Sequence, residues 1–261
     1  MDNLYVIKIG GNIIDDEKKF SSFLQAFASI KSNKLLVHGG GKLATKLADD
    51  LGVEQKLLDG RRITSAETLK IVTMVYAGFI NKNIVAQLQS KNCNAIGLCG
   101  ADANIIQAHK RIHPSIDYGF VGDIDKVNAE QLMQLINSGL TPIIAPITSD
   151  ANGQLLNTNA DTIAQEIAKA MSEYYNVQLI YSFEKSGVLL DVNDENSVIK
   201  NLKPQYYNEL KTKAKIFAGM IPKIDNAFAA LNSGVKKVII GNAEKLNDLI
   251  NNSAGTTITN E

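Results

Sequence analysis

Two glycine clusters stand directly behind short apolar runs: Lys8-Ile9-Gly10-Gly11-Asn12 and His38-Gly39-Gly40-Gly41-Lys42. Glycine admits φ > 0 and lets the backbone come close to a ligand. Each cluster feeds a helical pattern, and the first N–H groups of a helix lack intrahelical partners and attract anions. One glycine turn alone reads as a tight bend. Two in consecutive strand–helix units, one preceded by Lys8, favour a bound phosphate group at these turns, with Gly10 and Gly11 as the phosphate-binding residues. Further along, Arg62 follows a glycine in Gly60-Arg61-Arg62-Ile63-Thr64. Its planar fork suits a carboxylate, against the alternative of a solvated surface arginine. The run Asn157-Thr158-Asn159-Ala160-Asp161 enters another helix. One of its residues suffices as a cap, and the surplus suits an amide or carboxylate ligand, with Asp161 able to position ammonium groups. Finally, Gly219-Met220-Ile221-Pro222-Lys223 puts a lysine at the positive end of a helix, a poor place unless an anion is near.

Other chemistries find less support. The Walker pattern and the Gly-x-Ser-x-Gly elbow are missing, and no Cys/His/carboxylate cluster has metal-ligand spacing. Gly39 to Ala44 satisfies the dinucleotide fingerprint G-x-G-x-x-A, with Asp59 twenty residues on, but it follows the second predicted strand and Asp59 runs into a polar turn. His38 reads as a packed residue.

The elements that must hold these groups alternate short apolar runs with amphipathic stretches, an α/β pattern. Strands are predicted over 5–9, 34–38, 94–98, 141–147, 177–181 and 236–240, apolar on both faces as a covered parallel sheet requires. Helices are predicted over 16–31, 42–51, 65–91, 128–138, 159–174, 222–233 and 243–252, with Thr64 and Glu67 as a capping box, Asn128 and Asn242 as N-caps, and Gly139 as a stop. The polar segment 100–127 reads as hairpins over the main sheet. The turn 150–153 is the best boundary between two lobes, about 1–152 and 153–261, which no linker separates and which are expected to share one sheet. Helix 65–91 is apolar nearly all round from 69 to 80, so it is either a central core helix or half of a homodimer interface.

The 261 residues carry 27 Lys+Arg and 27 Asp+Glu, a balance that argues against nucleic acid and anionic membrane surfaces as partners. With 45% hydrophobic and 21% charged residues, disorder is excluded, and no apolar run approaches the roughly 20 residues of a bilayer span. The two cysteines read as reduced and buried, and the N-terminus does not read as a signal or transit peptide, so a cytoplasmic enzyme is expected.

Taken in order, the five motifs resemble the amino acid kinase family over the whole chain. The middle three are most like members that act on N-acetylglutamate in arginine biosynthesis and their aminoadipate-type relatives. The resemblance implies a three-layer αβα sandwich around a mainly parallel open sheet, with an acylated amino acid site in the N-terminal lobe and MgATP in the C-terminal lobe. It implies that Lys8 and Lys223 grip the transferring phosphoryl group, that Asp161 orients them, and that Arg62, Asn157, Gly40 and Gly41 hold the substrate. It also implies nucleotide contacts from Glu184, Ser186, Gly187 and Gly219, and a homodimer through helix 65–91. Glu184 stands where the family usually has Asp. The chain also lacks the extra N-terminal helix of arginine-inhibited hexamers, so a dimer without that feedback is expected. A kinase for an N-succinyl or carrier-linked acceptor is the nearest alternative, and a non-catalytic regulator a more distant one.

Overall fold

A computed structural model describes residues 1–58, 61–213, 215–216 and 220–260, with only the backbone of Arg61 and Pro222. The strands are β1 (Asn3–Ile9), β2 (Asn33–His38), β3 (Lys56–Leu58), β4 (Arg61–Ile63), β5 (Ala95–Cys99), β6 (Ile106–Lys110), β7 (Gly122–Val127), β8 (Thr141–Ala145), β9 (Ile147–Ser149), β10 (Leu155–Asn157), β11 (Asn176–Phe183), β12 (Asn201–Leu202), β13 (Lys237–Asn242) and β14 (Thr256–Ile258). The α-helices are α1 (Gly11–Ile14), α2 (Glu17–Ser29), α3 (Gly41–Asp50), α4 (Ala66–Val72), α5 (Asn81–Gln89), α6 (Ala129–Asn137), α7 (Ala160–Met171), α8 (Pro204–Thr212), α9 (Ile221–Asn232) and α10 (Leu246–Ile250). A π-helical stretch, Thr73–Ile80, joins α4 to α5 without a break.

The described residues form an eight-stranded sheet in the order β12-β14-β13-β11-β1-β2-β8-β5. The six predicted strands are contiguous in it, from β13 to β5 at one edge, and are mutually parallel, whereas β14 runs antiparallel to β13. Alternate side chains of each strand enter two separate cores. On one face Val6, Leu35 and Leu179 meet Ile163, Ile167 and Met171 of α7 and Ile224 and Leu231 of α9. On the other, Ile7, Ile9 and Leu36 meet Phe23 and Phe27 of α2 and Val72, Ile80 and Ile84 of the long helix. The result is helices on both faces of a mainly parallel sheet, the predicted αβα arrangement.

The segment 100–127 supplies the β6–β7 hairpin, which joins β9 and β10 in a four-stranded sheet. Residues 150–153 are the turn between β9 and β10, closed by the Asp150 N–H to the Gln154 carbonyl. The predicted strand over 141–147 is divided, because Pro146 separates β8 from β9 and lets the chain change sheets. Asn128, Asn242 and Gly139 (φ +77°) cap as expected. The capping box does not form on Thr64. Ser65 is the N-cap, accepting from Thr68 N–H, while Thr64 is buried and spends its hydroxyl on the Arg62 carbonyl and the Asn157 amide.

Candidate active site

The parallel register aligns Ile9 with His38 and with Ser182, so the turns after β1, β2 and β11 leave the same edge of the sheet. This carboxyl edge is where open α/β sheets bind ligands. The two glycine turns touch there: a Cβ on Gly11 would lie 4.0 Å from the amide nitrogens of both Gly40 and Gly41. Gly10 donates its N–H to the Ser182 carbonyl at 2.8 Å. Gly40 has φ +152°, and a Cβ there would sit 2.1 Å from Ile80 Cδ1, so only glycine fits between the turn and the π-helical stretch. His38 fastens this turn from behind. Its Nδ1 lies 2.9 Å from the Gly39 carbonyl and its Nε2 3.1 Å from the Asn81 amide, which also donates to the Ile143 carbonyl. Burial pushes the His38 pKa down to about 4, so the ring is neutral, as its packing implies.

Lys8 and Tyr181 are paired on β1 and β11, and α7 lies over both strands. Asn159 caps α7 by accepting from the N–H groups of Asp161 and Thr162, which fixes Asp161 in the first turn. There Asp161 receives Lys8 Nζ on Oδ1 at 2.8 Å and Lys223 Nζ on Oδ2 at 2.5 Å. Lys223 arrives from the first turn of α9, which packs on α7, and lies 6.0 Å over the Tyr181 ring. Burial acts to raise the Asp161 pKa, but the two ammonium groups outweigh it and hold the carboxyl well below the ordinary range. One strand and two helices thus hold two cations about a single anion, each less than a third exposed.

Beside this cluster is a cavity of about 220 Å³ that reaches Asn159 and Ala160 and is walled by Gly40, Gly41, Arg62 and Asn157. Arg62 Nη2 donates to the Gly41 carbonyl (3.1 Å) and Thr45 Oγ1 (2.8 Å), and Nη1 donates to Gln55 Oε1. The sequence-predicted phosphoryl and substrate residues therefore converge on one mouth. Glu184 lies at its edge, accepting from Asn12 Nδ2 at 2.7 Å. Ser186 and Gly187 are farther along the loop. The Ser186 N–H donates to Glu195, and Gly187 is packed so that a Cβ would meet Thr256 Oγ1 at 2.8 Å. Gly219 lies outside the described residues, as do Asp59 and Gly60.

Sequence reasoning missed Tyr76 and Arg111, which also line the cavity. Tyr76 reads as one more apolar residue of its helix. Arg111 sits in a polar segment with no motif, and its only early signal was placement next to a hairpin.

The model of the amino acid kinase family matches residues 3–242, and the chain belongs to that family. Relatives named acetylglutamate kinase are highly similar: one from Cytophaga hutchinsonii is 58% identical over 96% of both chains, and one from Phocaeicola vulgatus is 52% identical over 98% of both. The crystal structure of smu.665 from Streptococcus mutans is 28% identical, with a TM-score of 0.80, covering 100% of this chain and 99% of that one.

Proposed function

We propose that this chain is an acetylglutamate kinase, transferring the γ-phosphoryl group of ATP to the side-chain carboxylate of N-acetyl-L-glutamate in arginine biosynthesis. The observation that carries the reading is Asp161 held between Lys8 and Lys223 at the rim of a cavity walled by Arg62 and Asn157. The names of the near-full-length relatives agree with it.

The acceptor carboxylate has an ordinary pKa near 4.3 and is ionised at neutral pH, so the step needs no general base. A carboxylate oxygen bonds to the γ-phosphorus, the bond to the β–γ bridging oxygen breaks, and ADP leaves with that electron pair. No proton moves. The difficulty is bringing one anion up to another. Phosphoryl transfer depends on positioning and on neutralising charge over the equatorial oxygens. Lys8, Lys223 and the amides of Gly11, Gly40 and Gly41 would supply that charge, and Asp161 aims the lysines. Mg²⁺ enters on the phosphates of its nucleotide as part of the co-substrate. Arg62 and Asn157 would take the α-carboxylate and the acyl amide. The N-terminal lobe, about 1–152, would serve the amino acid, and the C-terminal lobe, about 153–261, the nucleotide through Glu184, Ser186, Gly187 and Gly219. We further propose a cytoplasmic homodimer joined along 65–91. The test is ATP consumption trapped as hydroxamate with hydroxylamine, run with N-acetyl-, N-succinyl- and free glutamate. Turnover with free glutamate and none with either acylated form defeats the proposal.

A further inference from the structure

The cavity wall contains two guanidinium groups, Arg62 and Arg111, and no carboxylate among its described lining residues. On the functional reading above, on which this inference rests, N-acetylglutamate brings two carboxylates. The side-chain carboxylate goes to Lys8 and Lys223, and the α-carboxylate goes to Arg62. Arg111 is then a cation surplus to the ligand.

It is also a prepared one. Arg111 projects from the end of β6 and is clamped to Asp123 of β7 through Nε (3.1 Å) and Nη2 (2.5 Å), while its guanidinium lies 5.4 Å over the Tyr118 ring. Its backbone N–H is held by the Val121 carbonyl at 2.7 Å. The clamp engages the Nε–Nη2 edge of the fork. A guanidinium fixed by an acid on one edge, with its rotamer already settled, presents its other N–H groups at little further entropic cost. An acetyl methyl gains nothing from such a wall and desolvates it. A second carboxylate on the acyl group would pair with it.

We infer that Arg111 is a specificity-determining residue and that the site, besides taking the acetyl group, prefers an acyl group with its own terminal carboxylate, a dicarboxylic N-acyl glutamate. The probes are N-succinyl-L-glutamate, its uncharged terminal amide, and N-acetyl-L-glutamate. Each is measured by calorimetric binding without nucleotide and by hydroxamate-trapped turnover, on the wild type and on Arg111→Met and Arg111→Lys. The expected result is at least tenfold tighter binding and higher kcat/KM for the succinyl compound than for either neutral probe. Arg111→Met should lose that tenfold for the succinyl compound while N-acetylglutamate changes by less than about threefold, and Arg111→Lys should recover part of the loss. A wild type that favours N-acetylglutamate, or an Arg111→Met effect equal on all three probes, overturns the inference. The binding arm separates the two readings. Selective binding of the succinyl compound without turnover of any probe refutes the kinase and supports the acyl assignment. Turnover of N-acetylglutamate with Arg111 silent does the reverse.

Discussion

At the scale of single residues, the site depends on charges held in place before any ligand arrives. Lys8 is strand-borne, three-quarters or more buried, and already paired with Asp161 at 2.8 Å, so little reorganisation accompanies the reaction. Removing one preorganised donor of this kind costs about 10²–10³ in rate, roughly 3–4 kcal/mol. Lys8→Ala should show that fall in kcat with binding of the acylated amino acid retained by calorimetry, and near-normal turnover would remove Lys8 from the chemistry. His38 makes a different prediction. Its folded pKa is depressed to about 4 from an ordinary 6.5, because the ring is fully buried. Between those values the unfolded chain binds a proton that the folded chain refuses. The contribution to stability is therefore complete above pH 6.5 and is lost as pH falls toward 4, a change on the order of 3 kcal/mol. Denaturant unfolding at pH 7.5 and 4.5 should show the loss in the wild type and a smaller one in His38→Gln. Equal pH dependence in both proteins would refute it.

At the scale of elements, the central strands and the site-bearing helices were legible because their signals are local. Apolar runs on both faces fix β1, β2, β8, β11 and β13, and cap residues fix the ends of α6 and α7. The elements that sequence reading omitted have no such signal. β12 and β14 are two and three residues long and form only when the edge of a sheet is there to receive them. Helix α8 is amphipathic but weakly apolar, with only Tyr207 and Leu210 buried, and it depends on α9 for a partner. The Thr64–Ser65 ambiguity is similar: both are good caps, and the choice is made by Asn157, which reaches Thr64 across 93 residues of sequence. Among the site residues, those in glycine or asparagine motifs were readable. Arg111 was not, since its clamp to Asp123 exists only once β6 and β7 pair. The α8–α9 contact has a consequence for chemistry. Tyr207 donates to Asp225 Oδ1 at 2.7 Å, with burial and then the hydrogen bond to Asp225 holding its phenol pKa well above the ordinary value, and Lys211 reaches Asp225 Oδ2 at 3.3 Å. Asp225 is two residues past Lys223, so this contact steadies the first turn of α9. Tyr207→Phe should cost about 1 kcal/mol of stability and lower kcat several-fold, with KM for the amino acid within twofold. A stability loss with kcat unchanged would mean that the contact does not position Lys223.

At the scale of the whole molecule, the long helix serves two surfaces at once. Its inner side packs Val72, Tyr76, Ile80 and Ile84 into the core and supports Gly40. Its outer side leaves Met74 55% and Phe79 64% exposed, neither of which a monomer would bury. Their positions follow from the backbone: a π-helical turn is wider than an α-turn, which brings residues five apart near one face. Leu57, 63% exposed, is a further large apolar side chain left in solvent. Burying each such side chain is worth about 1.5–3 kcal/mol, and a two-fold axis counts each twice. A dimer built along this helix would therefore also brace the glycine turn and the Arg62 pocket, linking assembly to substrate affinity. Met74→Asp places two carboxylates at such an interface without touching the core. Sedimentation should give twice the chain mass for the wild type and a single chain for Met74→Asp, with circular dichroism unchanged and KM for the acylated glutamate raised. A wild type that sediments as a single chain ends the dimer proposal, and a monomeric Met74→Asp with unaltered KM would keep the dimer but sever it from the site.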